Sequence, residues 1–585
     1  MGISSAKRSS PRSVSKIQHK QFSEIGTIHK KWTGKLPIAL VYPNVYQVGM
    51  SNLGMQHVYA LANEHPNIVC ERVFLPEKGR RPLSVESSRP LADFPVYFCA
   101  LSFEQDYVNL LRLFRYAEIE PLSAKRRDDS LKRADVPLII GGGVATFINP
   151  EPLAPFVDIF LLGEAESSLP QFIDCLLEKY ESGNGGDRES FLREIAVTVP
   201  GCYVPHLYEM IYEGSTLIKI QAQHGAPPRV KKTVLDSAAI SGHSRLLTAD
   251  TEFGDLYLAE LGRGCSRGCR FCAAGFVYRP PRLWSADAII RAFQEKPASI
   301  SRVGLLGMEM ARPEDLAKVA AHLLSSSCSL SFSSLRADAI TPELIQLLQK
   351  SAIKTAAIAP DGASERLRRV INKGITEDDV LSAANILVTG GVANLKLYFM
   401  IGLPTEEEED LAELVRLVVR VQEEVNDIGR SRGHLPTITL SVNPFVPKAW
   451  TPFQFCAFAG LGPLKKKIKY LRKAFVGFSN LRLSIEKPEN AFLQAVLARG
   501  DRRLAEVLLA MADSRRNWRQ QFRDHGVDPD DYVRQREQSE ILPWDIIDHG
   551  ISREFLWKEY QRGLDSKKTG PCQPETCTRC GVCGE

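Results

Sequence analysis

Cys265, Cys269 and Cys272 stand in a C-x3-C-x2-C spacing directly after a short run, residues 256–260, that reads as a β-strand. Three thiols this close can wrap one iron–sulfur cube, and three protein ligands leave the fourth iron open, as a reactive site requires. Gly262, Gly264 and Gly268 let the loop turn tightly. Arg263, Arg267 and Arg270 supply positive charge to offset a thiolate-ligated cluster. A strand ending in such a loop constrains the fold, because chemistry at strand ends belongs to parallel α/β architectures.

The surrounding pattern agrees. Residues 256–260, 302–306, 329–333, 355–358, 394–401 and 438–443 read as strands, separated by helical segments such as 313–325, 342–351 and 406–425. Six such units suggest a partial (β/α)6 barrel. Upstream, strands at 36–42, 96–102, 136–140 and 159–162 run into loops and helices, two of them through Gly141–Gly143 and Gly163. The expected fold class is therefore α/β: an N-terminal Rossmann-like domain, a partial (β/α)6 barrel, and a helical C-terminal region with a Cys-rich tail. The expected boundaries are a disordered basic tail over 1–30, a Rossmann-like domain over 31–185 and a connector over 186–250. The barrel follows over 251–460, the helical region over 461–565 and the Cys-rich metal-binding tail over 566–585.

With 44% hydrophobic and 24% charged residues, the chain is neither disordered nor fibrous. A net charge of +5 over 585 residues is nearly neutral, so charge neither predicts nor excludes a nucleic-acid partner. No apolar run reaches 18 residues, so no membrane span is expected. The first twenty residues carry five basic side chains and no apolar core, which is not a secretory signal. They read as a frayed basic tail, with a targeting or polyanion-binding arm as the alternative, and Ala6 breaks the myristoylation pattern. Thirteen cysteines without a secretory signal point to a cytoplasmic protein that uses thiols for metal rather than disulfides. Cys70, Cys99, Cys175, Cys202, Cys328 and Cys456 are scattered singly and read mostly as buried hydrophobes. Cys572, Cys577, Cys580 and Cys583 form C-x4-C-x2-C-x2-C, which suits a second iron–sulfur cluster or tetrahedral zinc. Residues 463–560 read as a solvated helical cap; Trp518 among arginines is a weak signal for RNA or a protein partner.

The loop from Arg263 to Cys272, with Phe271 in the aromatic place, resembles the C-x3-C-x-aromatic-C signature of the radical S-adenosylmethionine (SAM) superfamily. The resemblance implies a 4Fe-4S cluster on Cys265, Cys269 and Cys272 whose open iron binds the amino and carboxylate groups of SAM. One electron, from a flavodoxin or ferredoxin type donor, would then cleave the sulfonium to a 5′-deoxyadenosyl radical that abstracts hydrogen from substrate. It also implies SAM contacts at other strand ends. Gly307 and Glu309 fall where the family often places Gly-Gly-Glu, a departure here. Ser333, with Ser331, and Arg336, followed by Asp338, could meet ribose and carboxylate, with a local ion pair as the bland reading of the latter two. Gly362 lies in the loop after the fourth strand, Gly402 in the turn after the fifth, near adenine, and residues 443–448 match the sixth-strand end.

Residues 36–170 resemble the cobalamin-binding domain that often precedes such barrels, with Gly141–Gly143 and residues 163–166 as its late loops. The family's Asp-x-His-x-x-Gly is missing from residues 44–54, and His57 falls in the following helix. The domain either binds cobalamin without a protein ligand to cobalt or has lost it. The whole layout resembles an uncharacterised family of cobalamin-domain radical enzymes over most of residues 36–585. It implies a radical enzyme acting on an unknown substrate, with methyl transfer as one outcome if cobalamin binds. A methylthiotransferase acting on tRNA is disfavoured, because Cys70, Cys99 and Cys175 lack strand-end loops. A non-catalytic iron–sulfur carrier or sensor is the reading from another class.

Overall fold

The computed structural model describes residues 23–126, 133–181, 188–237, 241–251, 253–254, 256–307, 312–326, 328–332, 335–340, 342–514 and 516–583. A six-stranded sheet and a second system of two parallel sheets organise it. In the first, Leu36–Tyr42 (β1), Ile68–Phe74 (β2), Val96–Ala100 (β3), Leu138–Gly142 (β4), Ile159–Leu161 (β5) and Cys202–Tyr203 (β6) lie in the order β2-β1-β3-β4-β5-β6. Every residue of β1 is buried, as expected of an apolar strand covered on both faces. Helices Leu53–Glu64 (α1) and Ala165–Glu181 (α2) pack together on this sheet.

Three departures from the expected boundaries have local causes. Glu24–Ile25 pairs antiparallel with Leu247–Thr248, so sheet pairing reaches into the expected basic tail. Glu24 is held there by the wholly buried Arg72, whose Nη2 lies 2.7 Å from its carboxylate. The last strand of the first sheet, β6, lies beyond residue 185 and pairs antiparallel with β5, so this domain reaches into the expected connector. The rest of that connector is a hairpin, Tyr208–Glu213 with Thr216–Ala222, and a strand, Val230–Lys231, that pairs with Ile547–Asp548 from the far end of the chain.

In the second sheet system, Leu256–Glu260 (β7), Arg302–Leu306 (β8) and Ser329–Phe332 (β9) form one parallel sheet. Thr355–Asp361 (β10), Asn394–Ile401 (β11), Thr437–Pro444 (β12) and Leu481–Ile485 (β13) form another. One parallel bridge, Leu335 to Ile358, joins them, and the barrel is not closed. Strand β13 corrects the expectation of a wholly helical region after residue 460. Buried polar joints hold the first sheet's loops to the C-terminal region: Asn149 Nδ2 donates to the Ala498 and Gly500 carbonyls, and His549 Nε2 stands 2.8 Å from the Phe147 carbonyl.

Candidate active site at the domain junction

The C-terminal ends of β1, β3, β4 and β5 face those of β7 and β8 across a cavity of about 540 Å³. This is where open α/β sheets and barrels put their ligands. Leu40, Phe98 and Ile140 give it apolar walls, Gly142 and Gly143 a bare edge, and Gly307 reaches it from the barrel side. The volume is that of a pocket for a cofactor-sized molecule. Two glycines have conformational reasons. Gly143 (φ +105°) and Gly163 (φ +121°) occupy backbone that disfavours side chains, and a Cβ on Gly163 would lie 2.2 Å from the Thr233 carbonyl oxygen. Gly163→Ala is accordingly expected to cost about 2 kcal/mol or more. Hydrogen exchange in the peptide covering residue 163 checks this, and a local opening free energy changed by less than about 0.5 kcal/mol would contradict it.

Charge concentrates on one side of the cavity. Arg263, from the cluster loop, reaches Glu164 Oε2 at 3.1 Å, Glu166 Oε1 at 2.6 Å and Glu260 Oε2 at 3.1 Å. Arg282 adds a second cation to Glu164. His57, on α1, places Nε2 3.1 Å from Glu166 Oε1. Burial opposes ionisation of Glu166, but His57 and Arg263 outweigh it and hold its carboxyl well below the usual range. The sequence expectation that Arg263 neutralises a cluster is thus corrected: its charge is taken up by carboxylates of both domains.

Beside this network, Lys232 donates to the Val277 and Arg279 carbonyls at 2.6 and 2.7 Å, and burial, aided by Arg282, pushes its ammonium down to about 7. The folded chain then binds fewer protons here than the unfolded chain between about pH 7 and 10, so stability from this group rises with pH across that window. Lys232→Met is expected to remove a slope of up to about 1.4 kcal/mol per pH unit. Hydrogen exchange in the peptide covering Lys232 at pH 7, 8 and 9, corrected for the intrinsic exchange rate, reads it, and an unchanged slope would refute the assignment.

The cluster loop starts where β7 ends. Gly264 and Gly268 take positive φ, and Gly262–Arg263 pairs antiparallel with Arg282–Leu283. The three thiols are half-buried and close enough that Cys265 and Cys269 both disfavour ionisation of Cys272. Burial pushes the Cys272 thiol up to about 12, and Cys269 is raised for the same reason. The cations that favour the Cys269 thiolate are Lys373, Arg336 and Arg267. Lys373 Nζ lies 2.6 Å from Asp361, and Arg336 donates to the Lys373 carbonyl at 2.8 Å. Arg270 is wholly buried and pairs with Glu559 at 3.1 Å, while its charge still acts on Cys269.

Of the residues expected to contact SAM, Glu309 and Ser333 lie outside the described residues. Gly307 lines the cavity, and Phe271 packs on the core. Arg336 makes a two-point contact with Asp338, both at 2.8 Å, while its charge still acts on Cys269 and Cys265. Gly362 and Gly402 have internal reasons. A Cβ on Gly362 would meet the Arg368 nitrogen at 2.7 Å, and Gly402 is a turn with φ +79° whose N–H donates to Glu406. Cys70 and Cys99 are buried inside strands and Cys175 lies inside α2, so none sits on a strand-end loop. Sequence reasoning missed Glu260, Arg282, Lys232 and Asn372. Asn372 carries positive φ and donates to the Arg267 and Gly268 carbonyls at 3.3 and 3.2 Å.

Comparison with known proteins adds family identity. Residues 54–205 match the family model "Radical SAM proteins, N-terminal", and residues 259–418 match "Radical SAM superfamily". An uncharacterised protein of Methanocaldococcus jannaschii is 30% identical over 476 residues, 80% of this chain and 90% of its own. The ribosomal protein uS12 methylthiotransferase RimO of Salinispora tropica is 28% identical over 218 residues, 33% of this chain and 42% of its own. Among solved structures, the radical SAM methyltransferase TsrM from Kitasatospora setae aligns with TM-score 0.45 and 13% identity, over 70% of this chain and 75% of its own. The cobalamin-dependent SAM radical enzyme OxsB aligns with TM-score 0.45 and 13% identity, over 91% and 80%.

Proposed function

This chain belongs to the radical S-adenosylmethionine superfamily and is an enzyme of it, and from that premise we propose that it transfers a methyl group to an unactivated carbon with a cobalamin-type corrinoid as second cofactor. The observation that carries the reading is the cavity between the two sets of strand ends, with the cluster loop at its rim. The family's 4Fe-4S cluster and bound SAM together supply a 5′-deoxyadenosyl radical. The donor set at Cys265, Cys269 and Cys272 suits that cluster: three thiols close together with cations nearby. Arg336 is positioned to add a cation for the SAM carboxylate while Asp338 fixes its plane.

The cavity also suits a flat, amide-rimmed ligand. Its apolar walls accept a ring face, and Gly142 and Gly143 let backbone approach closely. The polar side chains of Asn52, Ser102 and His57 line the same space and can bind amide groups at the ligand's edge. A corrinoid bound there would supply the methyl group. The chain's own part is to orient, through Arg263 and its carboxylates, the two domains that close the space, and to keep water from a carbon radical. Cys70, Cys99 and Cys175 offer no second strand-end site of the kind methylthio transfer uses.

The test is protein purified anaerobically with cobalamin supplied, then reduced in the presence of SAM. A cobalamin spectrum on the purified protein, with both 5′-deoxyadenosine and S-adenosylhomocysteine formed, is the expected result. 5′-Deoxyadenosine from protein that retains no corrinoid would remove the second cofactor. Neither product would favour an iron–sulfur carrier.

A further inference from the structure

The four C-terminal thiols are docked on the loop that carries Cys265, Cys269 and Cys272. After helix Arg553–Leu564 (α3) the chain returns across that loop, and the Cys572 N–H donates to the Ser266 carbonyl at 2.7 Å. Asn372 clamps both segments. The side-chain amide that holds the Arg267 and Gly268 carbonyls also donates to the Thr569 carbonyl at 3.1 Å, and its oxygen accepts from the Thr569 N–H at 2.9 Å. Arg270 pins the tail from below, donating to the Lys567 carbonyl at 2.8 Å and Thr569 Oγ1 at 3.1 Å. The far end is fixed too, because the Ser552 N–H donates to the Cys580 carbonyl at 2.9 Å.

The four thiols lie close enough inside this dock for the other three to act on Cys572. Cys572 and Cys580 are buried, and Cys577 and Cys583 are half-buried. Burial, with the other three thiols adding to it, pushes Cys572 up to about 11, and Cys583 shares a hydrogen bond with Cys572. Arg279 acts on both Cys572 and Cys583 and lines a narrow cleft with Ser266 and Gly268 of the first loop. Arg579 donates to Cys577 Sγ at 3.3 Å. Among the described residues, no three His, Cys, Asp or Glu side chains converge tightly enough to hold a single ion. Tetrahedral zinc, with bonds of about 2.3 Å, needs its sulfurs close together, whereas an iron–sulfur cube spreads four thiolates around a wider body. The tail's four thiols, like the three of the first loop, offer the thiolate donor set of an iron–sulfur cluster.

We propose that Cys572, Cys577, Cys580 and Cys583 hold a second iron–sulfur cluster, and that this cluster is the port by which an electron enters the cluster on Cys265, Cys269 and Cys272. The proposal rests on the family reading of the first loop. A reduced donor protein of flavodoxin or ferredoxin type gives up one electron. The tail cluster takes it, passes it on and returns to its oxidised state, and the first cluster is reduced by one electron. No covalent bond forms or breaks at the tail. The route runs from the Cys572 sulfur along its backbone, across the N–H···O bond to Ser266, and along one peptide to Cys265.

Full-length wild type and the Cys577→Ser/Cys580→Ser double variant, each reconstituted anaerobically, test it by iron content, electron-spin resonance and rapid freeze-quench. Wild type is expected to show two reduced-cluster signals, of which SAM perturbs one. The double variant is expected to lose about half its iron and the signal that SAM leaves unchanged. With reduced flavodoxin as donor, the SAM-sensitive signal should then appear at least about tenfold more slowly, while reduction by dithionite is unaffected. Single variants at the half-buried Cys577 and Cys583 provide the same readout where the double variant folds poorly. Stoichiometric zinc in the wild-type tail, or an unchanged rate with flavodoxin, would overturn the proposal. A wild type with the tail signal but no SAM-sensitive one would overturn the reading of the first loop instead.

Discussion

Cys269→Ala is expected to abolish the site-differentiated cluster and to lower SAM cleavage roughly a thousandfold or more, to background, because the cofactor supplies the chemistry and the protein only its seat. Cys269 is the middle ligand of the C-x3-C-x2-C loop. The other two sulfurs alone leave two irons without protein ligands, and a cube so held has little to resist loss of iron. Loss through misfolding can be separated from loss of the ligand. Cys269 lies on a loop, its side chain is small, and the neighbouring backbone is fixed independently by Arg270 N–H to the Ile371 carbonyl and by Asn372. Unfolding of the cluster-free protein should therefore be little altered. The measurement is iron content and the electron-spin signal in a variant that also lacks the tail thiols. Full retention of both would contradict the assignment of Cys269 as a ligand.

Much of this site was legible because its elements are local. The strand before the loop was expected at residues 256–260 and is found there, and 302–306 and 394–401 also match. These segments are apolar or strictly alternating, so side-chain period alone places them. Ile68–Phe74 was missed because Glu71 and Arg72 interrupt its apolar run. Only the fold shows that Arg72 is neutralised by Glu24 and Glu86, at 2.7 and 2.6 Å. Leu481–Ile485 was missed because its neighbours are helical and it extends the barrel edge as a half-exposed strand. At the site, spacing gives the three thiols, since one loop carries them. It could not give Glu164, Glu166 and Glu260 as partners of Arg263, because two of these lie about a hundred residues away and no sequence pattern links an arginine to distant carboxylates. The glycines carry a second reason that spacing does not show. Gly362 and Gly402 resemble ligand-approach positions, yet packing against the chain's own backbone and side chains already requires them.

Arg263→Met is expected to lower stability by about 3 kcal/mol at pH 8, because it removes one partner of a largely buried charge network and leaves the others unpaired. The Arg263 side chain is 14% exposed, and Glu164, Glu166 and Glu260 are 5, 14 and 21% exposed, so screening reduces but does not cancel the effect. Arg282 continues to serve Glu164, so the loss should fall on Glu166 and Glu260. The pH dependence follows from the direction of the Glu166 shift. Its folded carboxyl titrates below the usual range, so it contributes stability that is present above the unfolded value and lost as pH falls through the folded one. Without Arg263 the folded value rises, the carboxyl can take a proton at milder acidity, and the deficit should narrow between pH 8 and pH 5. Because unfolding of several domains is not two-state, hydrogen exchange in peptides covering residues 160–170 and 256–264 is the direct readout. Both should exchange faster in the variant, since the contact joins β5's loop to β7's. Adding Glu166→Gln to Arg263→Met should cost less than the two single losses summed, by about 1 kcal/mol or more. Strict additivity, or protection unchanged in both peptides, would mean that Arg263 does not couple the two domains.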